Sequence, residues 1–323
     1  MEIKLHLGAH RCATTTFQAQ LWKNRMRLAQ AGLTCWTPKR TRDGLMRGMI
    51  RHPENITLID EKRAHRSVGR IRLEINRLAR LGQCNLLISE ENLIGSIRRN
   101  IREKSLYPMA DERLLRFVPA FAGHTLQIGM CIRSYENFWA SSLSHAVKRG
   151  ARMPTKDDLD LLTTQPRRWR TLVRDIRAVF PHADIFVFPF ERLANRPADV
   201  VEMFCPGTVD LMSKDTIHRN CALDVDGLNE ILRLRGEAGL RGKAQMTDNR
   251  WMPFDEDQCA VLRAEYRRDL MWLEAGADGL ARYIDGRTTP ATRPDRAQMQ
   301  PDADPLGTVL SKGQTHEFEE RLG

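Results

Sequence analysis

The sequence predicts an α/β protein in which an open parallel β-sheet is flanked by helices. Short runs of aliphatic and β-branched residues alternate with longer segments that place apolar residues at helical spacing. This alternation is typical of a parallel sheet with helical crossovers. The chain has 323 residues, of which 41% are hydrophobic and 28% charged, so it is long enough to bury a sizeable core.

Four strands and eight helices are predicted along the chain. The strands are the aliphatic runs 3–7, 85–89, 126–132 and 185–188. The first helix begins near Thr14 and places Phe17, Leu21 and Leu28 on one face. Further helices are predicted near 61–81, 111–120, 135–149, 166–180, 193–204, 226–236 and 255–275. Residues 34–59 have no regular pattern and are interpreted either as a segment that covers a cleft or as a surface connection.

We expect one α/β domain over residues 1–286 and a flexible tail over residues 287–323, which are rich in Thr, Pro, Asp and Arg. The chain has neither an apolar window of transmembrane length nor a basic leader followed by an apolar stretch, so we expect a cytoplasmic protein without a transmembrane segment. The seven cysteines are scattered without a C-x-x-C pair. This pattern favours reduced thiols and argues against a zinc site, and no metal is expected.

The charge balance indicates a preference for anions. The net charge is +10, and Arg accounts for 41 of the 51 basic residues. Arginine favours bidentate contacts with phosphate, sulfate and carboxylate groups, although an ordinary basic surface would give the same composition. Aromatic residues make up only 7% of the chain, and no basic stripe is interleaved with them. Nucleic acid is therefore not the expected partner.

The first eighteen residues contain the most informative pattern. An apolar strand leads into a short turn, and the turn opens a helix whose first residues carry hydroxyl groups. Backbone N–H groups at a helix N-terminus, together with the helix dipole, favour a bound anion, and a guanidinium adds charge-assisted hydrogen bonds. The residues expected to surround a phosphate here are Gly8, Ala9, His10, Arg11, Cys12, Ala13, Thr14, Thr15 and Thr16.

This P-loop-like turn differs from the nucleoside triphosphate form G-x-x-x-x-G-K-[ST], because Thr14 stands where that form has Lys. The order Gly8-x-His10-Arg11-x-Ala13-Thr14-Thr15 instead resembles the 5′-phosphosulfate loop of sulfotransferases that use 3′-phosphoadenosine 5′-phosphosulfate (PAPS). It is most similar to the bacterial branch with the loop G-x-H-K-T-G-T-T. Arg11 stands where that branch has Lys, and Ala13 where it usually has Gly. The resemblance implies the sulfotransferase fold.

A second pattern follows the third predicted strand. Arg133 ends that strand, and Ser141 lies eight residues further on, on the polar side of the helix that follows. The spacing is similar to the 3′-phosphate motif of sulfotransferases, and it occurs after the N-terminal loop, as in that family. The resemblance implies that Arg133 and Ser141 bind the 3′-phosphate. His145, one turn beyond Ser141, is interpreted as an ordinary helix residue.

The resemblance implies transfer of a sulfuryl group from PAPS to a hydroxyl or amine of a carbohydrate, lipid or small-molecule acceptor. Arg11 is then expected to stabilise the leaving oxygen. Glu91, at the end of the second predicted strand, is the preferred general base, because the carboxyl ends of parallel strands line ligand crevices. His10 is the next candidate, since histidine titrates near neutral pH, and Glu90 is the third.

Three other functions remain open at this point. A P-loop kinase or NTPase would use the same N-terminal loop, but the misplaced cation argues against it. A degenerate sulfotransferase would bind PAPS or its product without turnover, which the Arg11 and Ala13 departures would explain. A nucleic-acid-binding protein would account for the arginine excess.

Overall fold

A six-stranded sheet with all strands parallel forms the centre of the protein, as the sequence predicts. The computed structural model describes residues 1–212, 224–240, 246–247 and 250–286. The predicted tail, 287–323, lies outside the described residues. The strands are β1 (Glu2–His6), β2 (Leu33–Trp36), β3 (Asn85–Ser89), β4 (Thr125–Ile132), β5 (Asp184–Pro189) and β8 (Arg282–Tyr283), and β6 (Met246–Thr247) and β7 (Arg250–Trp251) form a separate antiparallel pair.

The strand order β2-β3-β1-β4-β5-β8 places β1 in the interior of the sheet. Its His6 pairs with Ser89 of β3 on one side and with Gly129 of β4 on the other. The chain passes from β1 to the edge strand β2, returns through β3, and only then reaches β4. In open α/β sheets a crevice forms where the strand order reverses, outside the carboxyl ends of the strands. The predicted anion loop follows β1 at this position.

Helices flank the sheet, and most lie where their apolar spacing predicts them. They are α1 (Thr14–Gln30), α2 (Pro38–Arg40), α3 (Leu58–Arg80), α4 (Ile97–Glu103), α5 (Ala110–Leu115), α6 (Val118–Phe121), α7 (Tyr135–Lys148), α8 (Lys156–Thr164), α9 (Trp169–Val179), α10 (Phe190–Leu193), α11 (Pro197–Phe204), α12 (Val225–Leu234) and α13 (Glu256–Glu274). The predicted stripe Phe17, Leu21 and Leu28 is buried. The predicted helix near 111–120 is instead two short helices, α5 and α6.

The interpretation of residues 34–59 as wholly irregular is wrong. Residues 33–36 form the edge strand β2, and a π-helical turn follows at Thr41–Leu45. Leu45, Met46 and Met49 are buried in the core. The segment from Thr41 to Met49, called here the strap, is therefore an ordered part of the domain.

Close packing against β4 explains why residue 129 is a glycine. A Cβ on Gly129 would lie 2.4 Å from Cζ of Phe204 and 2.6 Å from Cζ of Phe186. These aromatic rings pack directly on the β4 backbone, so no larger residue fits there. The tight packing fixes β4, and with it the strand end that leads to Arg133.

Candidate anion-binding site

The loop after β1 is a tight turn with three residues in the left-handed region. The φ angles are +60° at Gly8, +64° at Arg11 and +57° at Ala13. A Cβ on Gly8 would lie 2.3 Å from Cγ2 of Thr14, so this position requires glycine. Ala13 is the N-cap of α1 and provides no side-chain cap. The N-terminus of this 17-residue helix, which is the positive end of its dipole, therefore has no capping side chain.

The structure brings the two predicted anion motifs together. Nε of Arg11 donates a hydrogen bond to Oγ of Ser141 at 2.9 Å. Nη1 of Arg133 donates to the backbone carbonyl of Arg11 at 2.8 Å. The loop after β1 and the β4–α7 junction, 130 residues apart in sequence, thus form one basic site. Ser141 is buried, although the helical pattern predicted a polar face away from the core stripe.

Arg133 is a buried guanidinium without a carboxylate partner among the described residues. Its side chain lies over the Phe190 ring at 4.3 Å, and its backbone carbonyl accepts a hydrogen bond from Nε1 of Trp169 at 2.8 Å. Arg133 is only 8% exposed, and its Nε has no hydrogen-bond partner in the described chain. Burial lowers its pKa below the ordinary arginine value, although the charge of Glu191 acts in the opposite direction. A buried cation in this situation is costly unless an anion binds to it.

His145 belongs to the same basic cluster. It lies on α7 one turn after Ser141, and residues four apart share a helix face. Burial, together with the charges of Arg11, Arg149, His10 and Lys148, lowers the pKa of His145 to about 4. The imidazole is therefore neutral at pH 7 while it is surrounded by cations. The four-residue spacing from Ser141 is the sequence feature that could have predicted His145 as a neighbour of this site.

The two candidate carboxylates lie beside one arginine of the strap. Glu90 is fully buried and accepts hydrogen bonds from the Thr41 hydroxyl, the Asn92 backbone N–H, and Nε and Nη2 of Arg42. Glu91 accepts from Nη2 of Arg42 at 2.9 Å and from Nε2 of Gln18 at 2.7 Å. Arg42 was not predicted as a site residue.

The surroundings of Glu91 favour its ionised form. Burial alone would raise the pKa of this carboxyl, because it penalises the charged form. The charge of Arg42, the hydrogen bond from Gln18 and the backbone hydrogen bond of Glu91 act in the opposite direction. Their combined effect is a pKa below the ordinary glutamate value. Glu91 is thus a carboxylate at neutral pH.

Both ring nitrogens of His10 have neighbours. Its backbone N–H donates to the Tyr107 hydroxyl at 2.8 Å, and Nδ1 lies 3.0 Å from the same oxygen. Nε2 lies 3.2 Å from the Asn92 side-chain amide. The amide is best satisfied with its nitrogen toward His10 and its oxygen toward Arg42. Burial lowers the pKa of His10, so the ring is neutral and connects the loop with Arg42 through Asn92.

The remaining predicted loop residues shape the turn. Ala9, Cys12, Thr14 and Thr16 are buried, and Thr15 is half-buried. His6, just before the loop, is also buried. Its Nδ1 lies 2.8 Å from the Ser89 hydroxyl, and burial lowers its pKa to about 4. The neutral ring of His6 therefore links β1 to β3.

One cluster has metal-ligand chemistry within the described ranges, formed by His52, Glu54 and Glu103. Arg99 makes ion pairs with both carboxylates of this cluster. The guanidinium already supplies the positive charge that a metal would bring. The cluster lies outside the anion-binding site.

No protein-family model matches this chain, and neither does any curated protein or solved structure. The membership in the sulfotransferase family stays a prediction that rests on the two motifs. None of the helices in the described part of the chain is long and apolar enough to cross a membrane.

Proposed function

We propose that this protein is a PAPS-dependent sulfotransferase that acts on a hydroxyl or amine of a carbohydrate, lipid or small-molecule acceptor. The observation that carries the proposal is the buried Arg133, which has no carboxylate partner among the described residues and is hydrogen-bonded to the loop at Arg11. A cation held in this way between two anion motifs favours a ligand with two phosphate-type groups. PAPS has a 5′-phosphosulfate and a 3′-phosphate, one for each motif.

The chain offers a role for each part of the reaction. The N-terminus of α1, with Thr14, Thr15 and the loop amides, would hold the 5′-phosphate. Arg11 would stabilise the charge that develops on the leaving oxygen as the bond from sulfur to that oxygen breaks. Arg133 and Ser141 would bind the 3′-phosphate. Positioning and charge stabilisation would then supply most of the catalysis, as in phosphoryl transfer.

Glu91 is the best general base among the three candidates. It would take the proton from the acceptor hydroxyl as the new oxygen–sulfur bond forms. It is ionised at neutral pH, as a base must be before it can accept a proton. The carboxylate of Glu90 already accepts hydrogen bonds from Thr41 and Arg42 of the strap. Both ring nitrogens of His10 already have hydrogen-bond partners within the protein.

Thermal unfolding with 3′-phosphoadenosine 5′-phosphate (PAP), Mg-ATP and AMP at matched concentrations tests the proposal. A ligand at one hundred times its Kd adds about 2.7 kcal/mol of stability. We expect stabilisation by PAP that clearly exceeds stabilisation by ATP or AMP, and we expect Arg133→Gln to remove it. Arg77→Gln, a change of an exposed arginine on α3, is the matched control and should keep the full PAP effect.

Two other outcomes would decide against the proposal. Stabilisation by Mg-ATP without a preference for PAP would indicate a kinase or NTPase. Stabilisation by none of the three ligands would mean that the loops do not form a nucleotide site. PAP binding without any turnover of PAPS across a panel of acceptors would favour the degenerate sulfotransferase.

A further inference from the structure

Arg42 is the one arginine in the described chain that pairs with both Glu90 and Glu91. It comes from the strap, 48 residues before Glu90 in sequence. Its Nε and Nη2 face Glu90 in a fork, at 3.0 and 2.6 Å, and Nη2 also donates to Glu91 at 2.9 Å. Its side chain is 43% exposed, whereas Glu90 is completely buried. The guanidinium thus lies between two adjacent carboxylates and solvent.

The two carboxylates are not equivalent in this arrangement. Glu90 accepts two arginine nitrogens, the Thr41 hydroxyl and the Asn92 backbone N–H, which together fill its hydrogen-bonding capacity. Glu91 accepts one arginine nitrogen on Oε1, one amide on Oε2 and its own backbone N–H. Since a carboxylate can accept about four hydrogen bonds, Glu91 keeps room for one further donor.

The strap that carries Arg42 is anchored at several points. The carbonyls of Arg47 and Gly48 accept hydrogen bonds from Ser67 of α3 and from Arg116, both at 2.8 Å. A Cβ on Gly48 would lie 2.8 Å from the Asp60 carbonyl, so the strap backbone packs directly against α3. These contacts fix the position from which Arg42 reaches the end of β3.

We propose that Arg42 is a positioning residue that keeps Glu91 ionised and oriented to accept a proton from the acceptor, while Glu90 anchors the strap. This inference rests on the proposed sulfotransferase function. Two adjacent buried carboxylates without a shared cation cannot both remain ionised at little cost. The charged and titratable groups that face Glu91 are Arg42 from the strap, His10 from the loop, His6 from β1, Tyr107, and Glu90 beside it. Arg42 is the only permanent cation in this set.

Carboxyl 13C NMR of the glutamate-labelled protein tests the inference without an acceptor. Signals of the two residues are assigned with Glu90→Gln and Glu91→Gln. In the wild type we expect the Glu91 carboxyl to titrate below the ordinary glutamate range. In Arg42→Gln we expect Glu91 to titrate at a clearly higher pH than in the wild type, because burial then acts without the compensating charge. Arg42→Lys, which keeps one ammonium, should move that titration back toward acid pH.

Arg40→Gln is the matched control, since Arg40 lies two residues earlier, is similarly exposed and pairs with Glu74. It should leave both glutamate titrations unchanged. Arg42→Gln should also keep PAP binding within about threefold, because the phosphate motifs do not include Arg42. An unchanged Glu91 titration in Arg42→Gln, or the same upward change in Arg40→Gln, would overturn the inference.

If Arg42→Gln does not fold, Arg42→Lys decides the question. A single ammonium cannot reproduce the fork on Glu90 and the contact with Glu91 together, so one carboxyl should still titrate above its wild-type value. Unchanged titration in the folded lysine variant would then overturn the inference. A wild type that does not bind PAP would refute the sulfotransferase proposal, whereas the NMR titration would still report on the role of Arg42 toward Glu91.

Discussion

The side chain of Arg133 donates a hydrogen bond to the backbone carbonyl of Arg11, and this bond joins the two anion motifs. A residue at the end of β4 thus holds the turn that follows the neighbouring strand β1. The arrangement explains why a guanidinium is kept buried at Arg133 without a carboxylate partner in the described chain. If Arg133 binds the ligand as proposed, the effects of its substitution on ligand binding and on stability can be measured separately.

Substitution of Arg133 should weaken PAP binding but change the free energy of unfolding only slightly. For Arg133→Met we expect a free energy of unfolding within about 1 kcal/mol of the wild type, because the change removes a buried charge that makes no ion pair with the described residues and so offsets the loss of its hydrogen bond. PAP should no longer stabilise this variant. Arg168 is equally buried but pairs with Glu265 at 3.1 Å, so Arg168→Met should destabilise the protein by about 3 kcal/mol. Urea unfolding measures the free energy of unfolding of both variants. Equal losses in the two variants would contradict the expectation that Arg133, which makes no ion pair in the described chain, contributes little to stability.

Two neighbouring serines on α7 should respond differently to alanine. Ser141→Ala removes the hydroxyl that accepts the hydrogen bond from Arg11, so PAP affinity should fall about fivefold, the equivalent of one hydrogen bond of about 1 kcal/mol. Ser142 is fully buried, and its hydroxyl has no partner in the described part of the chain. Ser142→Ala should therefore keep PAP affinity and leave stability equal or higher. Isothermal titration calorimetry with PAP measures both affinities.

Substitution of Ala13 by glycine should stabilise the protein. Ala13 has a φ of +57°, a conformation that glycine adopts more easily than alanine. We expect Ala13→Gly to raise the free energy of unfolding by about 0.5 to 1 kcal/mol. Ala19→Gly, inside the same helix, should lower it by about 1 kcal/mol. Thermal unfolding of both variants measures the effects, and a destabilised Ala13→Gly would argue against the left-handed turn.

Acid should destabilise the folded protein through its buried histidines. The pKa of His6 and of His145 is lowered to about 4 in the folded state, mainly by burial, while the ordinary value is 6.5. Between these two pH values the unfolded chain binds more protons, so stability decreases as the pH falls through this window. The full effect of His6 is on the order of 3 kcal/mol, and that of the half-buried His145 is smaller.

Urea unfolding at pH 7, 5.5 and 4.5 measures this decrease. His145→Gln should reduce the loss of stability between pH 7 and 4.5, because the variant lacks one of the histidines whose pKa is lowered in the folded state. His65→Gln, which changes an exposed histidine on α3, should leave the decrease unchanged. A wild type whose stability is constant across this range would contradict the lowered pKa values.

Much of the sheet could be predicted from the sequence, because its central strands are continuous aliphatic runs. The strand 85–89 was predicted with the bounds that the structure gives, and the strands 3–7, 126–132 and 185–188 to within one residue at each end. The edge strand β2 was missed, since residues 33–36 include Thr34 and Cys35 and lie beside a segment rich in Pro and Gly. The last strand, β8, has only two residues and leaves no periodic pattern.

The candidate site was predictable where it follows local motifs. Arg11, Arg133 and Ser141 were found because a turn or a fixed spacing marks them, and the structure brings them into contact. Arg42 was not found, because its role depends on the path of the strap and not on a local pattern. Tyr107, which contacts His10, also comes from a distant segment.

The strand order has a consequence for how the chain acquires binding competence during synthesis. Because β1 lies between β3 and β4, its loop is completely held once Arg133 has been made and β4 has paired with β1. A nascent chain that ends before β4 has emerged already contains the complete first motif, yet it lacks the strand that fixes it. Contacts of such large sequence separation also form slowly. Ligand capture would thus mark a late event on the folding pathway, well after the N-terminal helix has left the ribosome.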